Sequence, residues 1–263
     1  MKRRAGRLLL VGGHKHEFSQ LQGIYEAAET AGIGECQAVV PDTLRKLIGE
    51  TGYIRFAPAS ASGSLGKAAL GEIMHLAGDF DGIVIGANLT NNAETAVMVE
   101  SLITKLDMPV IITEEAIEIL KFNPQLITGN SQVLVVTTMP GLFALANYHH
   151  MPIAIKPGSG VVGKVEILRQ LMDISKCAFF IFDREIFVGA ESDISVTSLN
   201  NSLSDLPGAA IGAAGVWWLQ NQAKPFASLT AAAYLLQEAT KEAVSGYGPL
   251  GIQLRQAINR YDF

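Results

Sequence analysis

A chain of 263 residues can bury a sizeable core, either as one large α/β domain or as two small ones. A net charge of -5, no basic stripe and an aromatic content of 7% exclude a duplex-binding face and a stacking platform for single strands, so no nucleic-acid partner is expected. Charged residues make up 17%, below the ~25% usual for soluble domains, which points to helical surface covered in a homo-oligomer.

In chain order, Lys2-Arg3-Arg4 is followed by the buried strand Arg7 to Val11, whose apolar run is too short for a secretion signal. Gly12-Gly13 stops that strand, and helical spacing from Leu21 to Ala31 ends at Gly32-Ile33-Gly34. Strands follow at Glu35 to Val40 and Tyr53 to Phe56, with a short helix from Pro41-Asp42 to Ile48 between them. Helices are predicted over Leu65–Ala77, Ala93–Leu106, Glu114–Leu120 and Pro140–Asn147, alternating with strands over Asp81–Ile85, Pro109–Thr113 and Gln132–Val136. After Lys156-Pro157-Gly158-Ser159-Gly160, a helix from Val162 to Met172 leads to the strand Ala178–Phe182 and to shorter β segments at Glu185–Val188 and Ile194–Val196. Three helices close the chain, at Pro207–Asn221, Ser228–Val244 and Pro249–Arg260. The alternation predicts an α/β fold, doubly wound, with a mainly parallel sheet and helices on both faces. With no repeat or linker, residues 1–263 read as a single domain.

Nothing reaches membrane-spanning length, and Cys36 and Cys177, both expected in strands and without a CxxC, form neither a disulfide framework nor a metal site. Buried free thiols in a cytoplasmic protein are expected.

Ligands in open parallel sheets sit beyond the carboxyl ends of the strands, which singles out four loops. These are Gly12-Gly13-His14-Lys15-His16, Gly86-Ala87-Asn88-Leu89-Thr90, Thr137-Thr138-Met139-Pro140-Gly141 and Ser202-Leu203-Ser204-Asp205-Leu206-Pro207-Gly208. The first lacks the spacing of a dinucleotide or P-loop fingerprint, and its histidines read as a solvated loop in preference to a metal site. Asn88, Asn91 and Asn92 suit phosphate or ribose, and equally suit turns. His149-His150 reads as a surface turn before Pro152. In the fourth loop, Ser204 or Asp205 is a good helix N-cap and Pro207 fits the first helical turn, so spacing alone favours capping over chemistry. Gly208, Gly212 and Gly215 leave one helix face nearly bare, ready for a close neighbour that is either another helix or a nucleotide.

Taken in order, these segments resemble the ADP-dependent NAD(P)H-hydrate dehydratase family, a branch of the ribokinase-like superfamily. The resemblance runs through Arg7 to Gly13, the alanine-rich helix ending in Gly32-Ile33-Gly34, Val39-Val40-Pro41, Asp81 to Thr90 and Val110 to Ile117. Val136 to Phe143 is similar to the family's T-P-H-P-G-E-F, and Ser202 to Gly208 falls on its G-[TS]-G-D-V-L-A-G turn. The resemblance implies ADP/ATP-dependent dehydration of hydrated NADH or NADPH, with Mg2+, a small-molecule nucleotide substrate and no membrane or nucleic-acid partner. It assigns Asp205 as catalytic base, Ser202, Leu203, Ser204 and Asn88 to the cofactor nucleotide, and Gln20, Met139 and Asp205 to substrate; no resident metal ligand is expected. Met139 stands in place of a histidine, Leu142 of a glutamate, and Ser202 and Ser204 of two glycines, and no lysine-glycine pair lies near Ile181-Phe182-Asp183. Two alternatives stay open, a non-catalytic or impaired nucleotide-binding relative and a small-molecule kinase of the same superfamily.

Overall fold

The computed structural model describes residues 6–152, 160–199, 205–243 and 250–261. Its short apolar runs form strands because both faces are covered, the setting in which near-continuous Leu, Val and Ile stretches are stable. Among the described residues the strands are β1 (Arg7–Val11), β2 (Glu35–Pro41), β3 (Ile54–Ala57), β4 (Gly82–Ile85), β5 (Val110–Ile112), β6 (Val133–Thr138), β7 (Ala178–Phe182), β8 (Glu185–Ala190) and β9 (Asp193–Ser198). They form one 9-stranded sheet in the order β3-β2-β1-β4-β5-β6-β7-β8-β9. Every pairing from β3 across to β7 is parallel, and β8 and β9 extend the sheet antiparallel.

The helices are α1 (Ser19–Ala31), α2 (Arg45–Ile48), α3 (Leu70–Ala77), α4 (Ala93–Lys105), α5 (Glu114–Ile119), α6 (Gln125–Thr128), α7 (Met139–Tyr148), α8 (Val161–Asp173), α9 (Leu206–Gln220), α10 (Pro225–Ala243) and α11 (Leu250–Arg260). Successive side chains along a strand point to opposite faces, and β1 divides accordingly. Leu8 and Leu10 pack with Ile24 of α1, Ile211 of α9, Leu236 of α10 and Leu254 of α11. Leu9 and Val11 pack on the other side with Ile73 of α3, Met98 of α4, Leu142 of α7 and Leu168 of α8. The doubly wound, mainly parallel architecture expected from the alternation is therefore present. No helix among the described residues is long and apolar enough to cross a membrane.

Several local readings are revised. The expected helix from Leu65 is a 3-10 turn at Lys67–Ala69 followed by α3, because Leu65 bridges back to Ala59 in an extended segment. The segment from Asp42 to Ile48 likewise divides into a 3-10 turn, Asp42–Leu44, and α2. The short α6 after Pro124 was not expected. Cys36 lies in β2, whereas Cys177 immediately precedes β7; both are free and buried, and burial pushes each thiol up to about 12.

The bare face of α9 is filled by a helix and not by a nucleotide. A Cβ placed on Gly212 would lie 2.6 Å from both the Ala27 Cβ and the Ile24 carbonyl oxygen of α1. At Gly208 it would lie 2.9 Å from the Gly23 backbone. Gly215 turns the other way, 3.5 Å from Ile111 of the sheet. Backbone thus packs on backbone between α1 and α9, and the first turns of the two helices are held together by the same contact.

Candidate active site at the switch point of the sheet

The chain leaves β1 toward one edge of the sheet and β4 toward the other, so the loops after these adjacent strands diverge and open a crevice. Gly86 forms the floor of this switch point, with φ 138° and with the Thr113 hydroxyl only 1.7 Å from where a Cβ would stand. Only glycine supplies both that backbone conformation and that space. The next residues curl over, and Asn88, itself left-handed at φ 64°, accepts the Gln20 backbone N–H on Oδ1 at 3.1 Å. Asn92 serves a different purpose, its Oδ1 accepting from Glu94 N and Thr95 N at 3.1 Å each to cap α4.

Two cavities occupy the crevice. The larger, about 470 Å³, is lined by Glu17, Ser19, Gln20, Gly23, Asn88, Glu115, Asp205, Pro207 and Gly208. The second, about 330 Å³, runs toward β6 and β7 past Glu114, Glu118, Thr137, Thr138 and Phe182, and shares Gln20, Glu115 and Pro207 with the first. Four separate stretches of chain, around residues 20, 88, 115 and 205, are brought to one place by the topology.

Asp205 sits at φ -90°, ψ 0°, a sparsely occupied bridge conformation common at turns and active sites. Its side chain does not cap α9, which corrects the capping reading for Asp205; Ser204, the other candidate, lies outside the described residues. Instead Oδ2 accepts the backbone N–H of Leu250 at 3.1 Å and so ties the start of α11 to the crevice. Oδ1 has no hydrogen-bond partner among the described residues, and Asp205 is exposed. Gln20 and Asn88 share its cavity. Met139 lies elsewhere: it is 3% exposed, packs in the core beneath β6 and lines neither cavity. The strand ends at Thr138 and turns directly into α7, which carries the Met139 side chain inward. Ser202, Leu203 and Ser204 lie outside the described residues, as does Lys156.

The sequence reading missed the acidic wall. Thr113 Oγ1 accepts the Ala87 N–H at 3.1 Å and donates to Glu115 Oε2 at 2.6 Å, fixing that carboxylate at the mouth of both cavities. Glu114 Oε2 accepts from the Thr138 hydroxyl and, at 3.4 Å, from Thr137. Glu118 Oε1 accepts from Tyr148 at 2.6 Å; burial and this carboxylate push the phenol up to about 12. The available signal was Glu114-Glu115 directly after a buried strand, but acidic residues in a first helical turn are also what the helix dipole favours. Among the described residues, neither cavity has a Lys, Arg or His in its lining.

Thr113→Val tests the first of these chains. Thr113 is 1% exposed, so an isosteric apolar group leaves the buried Ala87 N–H unpaired, at a cost of about 1–3 kcal/mol. The measurement is the urea midpoint, which should fall with the m-value unchanged.

The two histidine motifs are structural. His14 donates from Nε2 to the Ser62 carbonyl at 2.9 Å and accepts the His16 N–H on Nδ1 at 3.4 Å, pinning the loop at residues 60–64. His149 is half-buried against Thr128 Oγ1 at 3.1 Å, and burial lowers its pKa, so the expected surface turn is only partly one. Among the described residues no cluster of three or more His, Cys, Asp or Glu could hold a metal ion.

This strand order, with a crevice at the switch point closed by an aspartate before a glycine-faced helix, is the ribokinase-like fold. A ribokinase-like superfamily protein from Enterococcus faecalis V583 superposes with a TM-score of 0.76 at 14% identity, over 97% of this chain and 86% of that one. The ADP/ATP-dependent NAD(P)H-hydrate dehydratase of Bacillus subtilis, co-crystallised with ATP/Mg2+, superposes with a TM-score of 0.69 at 13% identity, over 99% and 94% of the two chains. In sequence, the chain is 27% identical over 142 residues to the bifunctional NAD(P)H-hydrate repair enzyme Nnr of Moorella thermoacetica. That match covers 53% of this chain and 27% of the relative's length. The chain thus resembles an NAD(P)H-hydrate repair enzyme in sequence and an NAD(P)H-hydrate dehydratase in fold. No protein-family model matches the chain.

Proposed function

We propose that the chain is an ADP- or ATP-dependent NAD(P)H-hydrate dehydratase, a carbon-oxygen lyase, with Asp205 as its base. The observation that carries this reading is the convergence of Asp205, Gln20 and Asn88 on one cavity at the switch point. In this reading Asp205 Oδ1 takes the proton of the hydrate's hydroxyl while Oδ2 stays on Leu250 N–H, which holds the carboxylate in one orientation. The nucleotide supplies the phosphoryl group that converts this hydroxyl into a phosphate leaving group. Asn88 would orient the nucleotide, and Ser202 to Ser204 would offer backbone N–H groups to its phosphates.

The donor set fits a Mg2+-complexed nucleotide better than a bare one. A wall of Glu17, Glu115 and Asp205 repels naked phosphates, and Glu17 and Glu115 would supply hard oxygen ligands of the kind Mg2+ takes, one or two carboxylates completed by phosphate oxygens. The same proposal includes a homo-oligomer, supported by the low charged content of 17%, and a cytoplasmic location, supported by the two unpaired thiols.

Incubating the protein with NADH hydrate or NADPH hydrate, Mg2+ and ADP or ATP should restore the absorbance of the reduced nicotinamide and release phosphate. No recovery with either nucleotide would remove the reading. The departures at Met139, Leu142, Ser202 and Ser204, with no basic side chain among the described residues of the lining, favour as a second reading an impaired relative that binds nucleotide without turnover. Thermal melting separates the two from an inert scaffold. With Mg2+ and nucleotide at about 100 times the dissociation constant, both predict a stabilisation of ~2.7 kcal/mol, and a scaffold predicts none.

A further inference from the structure

A third cavity, of about 280 Å³, lies apart from the crevice, between the outer side of α1 and the β2–β3 edge of the sheet. Helical spacing divides the start of α1 between the two places. Ser19, Gln20 and Gly23 line the crevice, whereas Leu21, Gln22, Tyr25 and Glu26 line this cavity. Among the described residues, no lining residue is common to both. The floor is aliphatic and buried: Leu21 of α1 meets Ala38 and Val40, which stand on one side of β2 because they are two residues apart. The walls are aromatic. Phe18 stands just before α1, and Tyr25 lies obliquely against Tyr53, with the ring centroids 4.9 Å apart and the planes tilted by 34°. Tyr53 is still 44% exposed, so this ring pair borders an open space and does not close it. An apolar and aromatic lining with a few polar groups at one place is the composition of a small-molecule site.

The polar groups sit on the rim contributed by α1. Gln22 Nε2 donates to Glu26 Oε1 at 2.9 Å and so restrains the carboxylate beside the cavity. Among the described residues, Glu26 is the only charged side chain in the lining. Cations on the adjoining elements do not offset it there. Arg45 of α2 pairs with Glu50 and lies 4.6 Å over the Phe56 ring, and Arg55 alternates with the lining residue Ile54, which places it on the other face of β3. These features together specify one kind of ligand. A neutral hydrocarbon would use the floor and the rings and leave the carboxylate idle, and an organic anion would meet that carboxylate. An ammonium joined to an aromatic body uses all three, with its body on the floor and its charge near the tyrosine rings and Glu26.

We infer that this cavity is a binding site separate from the crevice and that it takes a monocationic arylalkylamine. Three probes of one shape and different charge test it: 2-phenylethylamine, 2-phenylethanol and 3-phenylpropanoate, each titrated into the full chain at neutral pH by ligand-observed NMR. The amine should bind about fivefold more tightly than the alcohol, and the acid should bind most weakly. Glu26→Gln should narrow the amine's advantage to about twofold, the share left to the rings. Ala38→Leu extends the floor into the cavity and should weaken the amine by at least about tenfold. No binding of the amine, equal affinity for the alcohol or the acid, or an unchanged amine affinity in either variant would overturn the inference. Glu26 is exposed, so its replacement leaves the fold intact and the charge test stands even if Ala38→Leu does not fold. The hydrate assay bears on the crevice alone, and neither of its outcomes alters this inference.

Discussion

Asp205→Asn is expected to lower hydrate turnover by about 10²–10⁴-fold while leaving the melting temperature and the affinity for nucleotide nearly unchanged. The separation follows from the two oxygens of the side chain. Oδ2 has a structural task, accepting the Leu250 N–H at 3.1 Å, and the asparagine carbonyl can take it over without loss. Oδ1 carries the basicity, and an amide has none to offer at that position. Replacement by alanine would confuse the two effects, because it also releases the start of α11. Single-turnover kinetics with NADPH hydrate, ADP and Mg2+, paired with thermal melting, reads both quantities on one preparation. Full activity in the asparagine variant would exclude Asp205 as the base.

A second large effect is expected in the scaffold. Gly212→Leu should destabilise the protein by about 3 kcal/mol or more, because overpacking of a tight contact forces backbone shifts. For a chain of this size that corresponds to a fall in Tm of roughly 6–12 °C. The first atom beyond Cα already meets the Ile24 carbonyl and the Ala27 side chain at 2.6 Å, so no rotamer avoids the clash. Gly251→Ala in α11 is the matched control. Its added Cβ meets nothing within 4 Å, so the change should be neutral or stabilising by up to about 1 kcal/mol. Comparable losses at the two glycines would show that the α1–α9 contact is not what limits stability.

The fold was legible because its strands are buried on both faces and its helices carry apolar stripes, so period and length distinguish them without help from distant residues. The antiparallel end of the sheet agrees with the close spacing of the β segments expected at Glu185–Val188 and Ile194–Val196, too short for a crossover helix. The site was legible in part. Gln20, Asn88 and Asp205 stand on loops or helix starts that a parallel sheet must bring to one edge. What those residues touch was not legible: Asp205 meets Leu250 across 45 positions, a contact set by how α11 docks. The glycine face on α9 announced a close neighbour, but spacing cannot distinguish a helix from a ligand. The acidic wall escaped notice because each glutamate has a sufficient local explanation in the first turns of α5, and only the crevice gives them a common role.

The backbone-to-backbone seam between α1 and α9 also bears on how such a site can change over time. Because glycines and alanines fill the seam, the spacing between the two helix starts is set by main-chain geometry and is insulated from substitutions elsewhere in the core. Positions 20 and 205 can therefore exchange side chains, and with them ligand preference, without retuning the distance between them. A scaffold of this kind lends itself to the laboratory evolution of new specificities from very few substitutions.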